Sequence, residues 1–67
     1  MEKCIDFDYG LKNKVIECVK NISNSKVITK MNNIRENNTL YLRLTIIGKE
    51  EEIDIYLEEF NSLLILE

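Results

Sequence analysis

Histidine and proline are absent from this chain, glycine and cysteine occur twice each, and the formal net charge is −3. Each shortage removes a class of function. Without histidine, Cys4 and Cys18 can complete neither a zinc site of the cysteine-histidine type nor a thiol nucleophile with an imidazole base. Gly10 and Gly48 stand alone, so no glycine-rich loop exists to cradle a phosphate. With 12 acidic against 9 basic side chains there is no cationic surplus to neutralise a nucleic-acid backbone, and direct nucleic-acid binding is not expected. No apolar run approaches the roughly 20 residues of a membrane span, and the charged opening "MEKCIDFDYG" does not read as a secretory leader. The cysteines read as reduced thiols. The expected setting is cytoplasmic, with no cofactor, metal or membrane.

What is present is the composition of a folded domain, 45% hydrophobic and 31% charged, which argues against disorder. Sixty-seven residues make one small domain, 1–67, and not two. A domain of about 60 residues buries only roughly 60% of the surface of its unfolded chain, so self-association is expected to supplement its core.

In "LKNKVIECVKNI" (11–22), Leu11, Val15, Cys18, Val19 and Ile22 recur at spacings of three and four, the mark of an amphipathic helix, and "NISNS" (21–25) supplies turn residues to end it. Before it, "KCIDFD" alternates, with Ile5 and Phe7 on one side and Cys4, Asp6 and Asp8 on the other, as a short strand does. "KVITKMNNI" carries strand formers in imperfect alternation and reads as an edge strand. "RENN" makes a turn, and "TLYLRLTII" is the strongest strand, with Leu40, Leu42, Leu44 and Ile46 inward and Tyr41, Arg43, Thr45 and Ile47 outward.

"GKEEEIDIYLEEF" (48–60) supports two periods. As a strand, Gly48 and Lys49 form a two-residue hairpin turn, and Ile53, Ile55 and Leu57 face Leu44, Leu42 and Leu40. As a helix, Glu50, Glu51 and Glu52 fill the first turn, where unpaired amides favour negative charge, and Ile53, Tyr56, Leu57, Phe60 and Leu63 or Leu64 form one stripe. The stripe runs on through Phe60 while the alternation breaks there, which favours the helix. "SLLILE" (62–67) then reads as a buried closing strand. The expected fold is α+β, the ferredoxin-like order βαββαβ, with a four-stranded antiparallel sheet and two helices on one face. The alternative is one helix with a three- or four-stranded antiparallel meander.

On the residues "DYGLKNKV" and "NTLYLRLTIIGKEEEIDIYLEEF" the chain resembles the ACT-like family of small regulatory domains, over nearly its whole length. The resemblance implies a ligand loop at Asp8 and Gly10 and a role in regulating partner proteins.

Three further groups carry candidate chemistry. Asp6 and Asp8 project from one strand face, the geometry that a metal or an acid/base pair uses, although two solvated aspartates on the open sheet face account for the spacing more commonly. Tyr41, Arg43, Thr45 and Ile47 form an outward row. Tyrosine and arginine are enriched at protein contacts, so an interface is favoured over a stacking platform for single-stranded nucleic acid. Glu50, Glu51 and Glu52 are either a solvated helix start or a surface for a basic partner. The expectation is a non-enzymatic regulatory or adaptor domain that works through protein contacts or homodimerisation. The alternative is a small acidic inhibitor, of phage or mobile-element type, that blocks a surface of a larger protein.

Overall fold

The computed structural model describes residues 1–22 and 26–66; residues 23–25 of the expected turn and Glu67 of the expected last strand lie outside them. Strand β1 (Glu2–Asp8) leads through a short 3-10 turn (Tyr9–Leu11) into helix α1 (Lys12–Asn21). Strands β2 (Ile28–Glu36) and β3 (Thr39–Ile47) follow, and helix α2 (Glu50–Leu66) ends the described chain. The sheet has three strands in the order β1-β3-β2, with β3 antiparallel to both neighbours.

This corrects both architectures expected from the sequence. No fourth strand is present among the described residues, so the order is not βαββαβ. The chain is not a meander either, because α1 carries it across β3's position before β2 begins. Residues 50–60 take the helical period, and the helix does not stop at Phe60 but runs to Leu66. The reason is local. Leu63 and Leu64 continue the stripe of Ile53, Tyr56 and Phe60, and both pack against the core. Ser62 stays in the helical ladder, its hydroxyl donating to the Glu58 carbonyl at 3.0 Å. Neither glycine nor proline lies between Phe60 and Leu63, and Asn61 alone does not end the helix against the packing of Leu63 and Leu64.

Leu42, Leu44 and Ile46 on β3 are each no more than 1% exposed and meet Val15 and Cys18 of α1 and Ile53, Tyr56 and Phe60 of α2. Phe7 of β1 reaches the same layer, its ring centroid 5.6 Å from that of Phe60. Both helices therefore lie on one side of the sheet. The molecule is only 14 Å thick between Cα atoms in its shortest dimension, room for these two layers and no third. Among the described residues nothing covers the other sheet face.

Asn37 (φ 51°) and Asn38 (φ 64°) join β2 to β3 as a two-residue turn with both central residues in the left-handed region, closed by the Glu36–Thr39 pair. Asparagine is among the few residues that tolerate this conformation. Asn37→Ala should therefore cost about 1–2 kcal/mol in urea unfolding, whereas Asn38→Gly should be neutral or stabilising. Gly48 sits where space rather than dihedral angle is tight, since a Cβ there would lie 3.1 Å from Val27 Cγ1 and 3.3 Å from the Lys26 carbonyl oxygen. It thus follows β3 without forming the hairpin that the strand reading of 48–60 needed.

Candidate functional site

The uncovered face is assembled by the strand order. The alternation that points Ile5, Phe7, Leu42 and Leu44 at the helices points Cys4, Asp6 and Asp8 of β1 and Tyr41, Arg43, Thr45 and Ile47 of β3 the other way. The β2 register adds Ile28 beside Ile47, Lys30 beside Thr45, Asn32 beside Arg43 and Ile34 beside Tyr41. The outward row of β3 read from the sequence is thus the centre line of a three-stranded surface.

Its middle is a connected polar network. Arg43 grips Asp6 with two donors, Nε to Oδ1 at 2.8 Å and Nη2 to Oδ2 at 3.3 Å. Arg43 Nη2 also donates to the Tyr41 hydroxyl at 3.2 Å and sits 5.6 Å from the Tyr41 ring centroid; that hydroxyl donates to Glu36 Oε2 at 3.2 Å. All three strands are joined by these contacts. Cys4 Sγ lies 3.5 Å from Thr45 Oγ1. Cys4 is exposed on this face and Cys18 is buried on the helix side, so the two form no disulfide with each other.

Hydrogen bonding from Arg43 holds the Asp6 carboxyl below the ordinary carboxylate range, its charge adding to the effect against partial desolvation. Asp6 is more acidic folded than unfolded. Its contribution is therefore fully present above the ordinary carboxylate pKa and is lost as pH falls through the lowered one. Carbon-detected titration of the Asp6 carboxyl should show the depressed midpoint, and Arg43→Gln should return it to the range of free aspartate. Partial desolvation pushes the Tyr41 phenol up, with the Glu36 contact adding and Arg43 opposing. Tyr56 on the helix side differs: its hydroxyl is buried with no hydrogen bond of acceptable geometry, and burial raises its pKa although the nearby Thr29 side chain opposes this.

The other candidates from the sequence lie elsewhere. Asp8 and Gly10, the implied ligand loop, bond to each other, the Asp8 carboxylate accepting from the Gly10 amide at 3.0 Å and capping the 3-10 turn. Lys12 closes over the neighbouring Tyr9, its Nζ 5.1 Å from the ring centroid and 3.2 Å from the hydroxyl. Asp6 is engaged by Arg43, and Asp8 by the Gly10 amide. Among the described residues no three cysteine or carboxylate side chains converge as metal ligands would.

Glu50 and Glu51 are exposed at the start of α2. Glu52 turns toward the sheet side and pairs with Lys26 at 3.7 Å, which separates it from the other two. Further along α2, Ile55, Glu58, Glu59, Ser62 and Leu63 line a shallow groove of about 520 Å³ with Asn21 at the end of α1. Among the described residues no helix is long and apolar enough to cross a membrane.

Glu36, Ile28 and Lys30 complete the open face but were not grouped with it from the sequence, and Asp6 was not paired there with Arg43. The signal for the β2 members was the asparagine pair, which as a two-residue turn sets the register of the whole hairpin. Comparison of the chain with protein-family models, with curated proteins and with solved structures finds no match to any of them.

Proposed function

We propose that the protein is a non-enzymatic regulatory or adaptor module of the cytoplasm that acts through protein contacts, with the open sheet face as the contact surface. The observation that carries this reading is the uncovered face with its ordered Asp6–Arg43–Tyr41–Glu36 network. A tyrosine and an arginine already held in place lose little side-chain entropy when a partner covers them, which favours a contact centred there.

A second reading rests on α2. Glu50, Glu51, Asp54, Glu58 and Glu59 are all exposed and form no ion pair within the described chain, as a surface for a basic partner would require. On that reading the protein is a small acidic inhibitor of a larger one.

The native cysteines offer a test. A benzophenone maleimide should label exposed Cys4 and spare buried Cys18, which places the photo-cross-linker on the open face. Cross-linked adducts formed in lysate of the protein's own cells should depend on Cys4 and disappear with Arg43→Ala. Moving the label to α2, as Glu51→Cys in a Cys4→Ser background, should give none. Adducts from position 51 alone would transfer the function to the acidic helix.

A further inference from the structure

We propose that the chain pairs with a second copy of itself along the free edge of β2, antiparallel and centred on Asn33, so that two three-stranded sheets become one of six. β2 is built for such an addition. It pairs with β3 through nine consecutive residues, from Ile28–Ile47 to Glu36–Thr39, without a bulge or a proline, and among the described residues nothing lies along its outer edge. The helices do not overhang it either, since on their side of β2 Met31 is 38% exposed and Asn33 and Arg35 are exposed. A long, flat edge of unpaired amides and carbonyls is a template for another strand.

Charge selects which strand. A two-fold axis normal to the sheet keeps both open faces on the same side and requires that the register centre on a residue. Centred on Asn33, Lys30 lies opposite Glu36 of the second copy, twice by symmetry, and Met31 lies against the aliphatic stem of Arg35. Lys30 is exposed and makes no ion pair within its own chain, while Glu36 is held in place by Tyr41 through one oxygen and keeps the other for a donor. Centring on Met31 instead sets Lys30 diagonal to its own copy and carries Glu36 past the end of the partner strand. The opposite edge of the sheet refuses a copy altogether, because β1 registers centred on Cys4, Ile5 or Asp6 oppose Glu2 to Asp6, Glu2 to Asp8, or Asp6 to itself.

The pairing also matches the size of the open face to its proposed use. Three strands of this length present about 400 Å², from the usual strand spacing and rise, against the roughly 800 Å² that each partner contributes to a standard interface. Six strands reach it. The edge pairing does not depend on what the face binds, so either can fail without the other.

Cross-linking tests the register. In a Cys4→Ser background, Asn33→Cys placed in a glutathione redox buffer should give a disulfide-linked dimer as the main product, whereas Met31→Cys in that background, and the parent with its exposed Cys4 on the open face, should remain mostly monomeric. Dimer chiefly at position 31 overturns the register, dimer chiefly through Cys4 puts the copies face to face, and dimer at none of them removes the association; each outcome defeats the proposal. In sedimentation equilibrium, Lys30→Glu and Glu36→Lys should each weaken self-association about tenfold, through two lost pairs and two new like-charge contacts. The double variant should recover to within about threefold of the parent. A double variant weaker than either single one would equally overturn it.

Discussion

Phe60→Ala is expected to remove a large part of the chain's stability. Phe60 is fully buried, touches Phe7 and lies among the side chains that join α2 to β3. Truncating such an aromatic costs about 3–5 kcal/mol, from lost transfer energy and from the cavity left behind. A chain of this length has roughly 3–10 kcal/mol of total stability, so the substitution removes between about a third and all of it. Circular dichroism with urea titration checks this; a loss below about 1 kcal/mol would mean that Phe60 is not a core residue.

Ser62→Pro is the second large effect, and it bears directly on how α2 ends. Ser62 is exposed, so little packing is lost, but a proline there removes a backbone donor in the middle of Glu50–Leu66 and drives its ring against the carbonyl of Glu58. The cost should be about 3 kcal/mol or more. Ser62→Ala, which keeps the backbone donor, should be neutral or slightly stabilising. Had 62–67 been a strand entered through a turn at Asn61, proline at its first residue would be tolerated. Equal stabilities for the two variants would restore the closing strand.

The contrast between those two segments shows what the sequence makes legible. β3 was legible because its leucines alternate without interruption between two asparagines and a glycine, and α1 because its apolar spacing is helical throughout. The start of α2 was legible from three glutamates followed by a stripe. Its end was not, because an apolar run as short as "SLLILE" satisfies either period, and what decided the matter was the packing of Leu63 and Leu64 on the core, which carries the helix past Asn61. At the open face, alternation was enough to group Tyr41, Arg43, Thr45 and Ile47. Their partners Asp6 and Glu36 come from strands on either side, and which strands flank β3 is a property of the crossover rather than of any local pattern. Glu52 illustrates the same limit. Three adjacent glutamates look equivalent in sequence, yet a helix turns each by about 100° from the last, and the third meets Lys26.

The strand order also sets a timetable for the growing chain. β1 is the first strand made, yet its only neighbour in the sheet is the last: Glu2 pairs with Ile47 and Asp8 with Tyr41. The β2–β3 hairpin closes a two-residue turn and can form as soon as it leaves the ribosome, whereas β1 must wait for it with Ile5 and Phe7 unsheltered. Once the hairpin has formed, β3 has one vacant side until β1 docks. That is the interval in which a strand from elsewhere competes for the place that β1 finally takes.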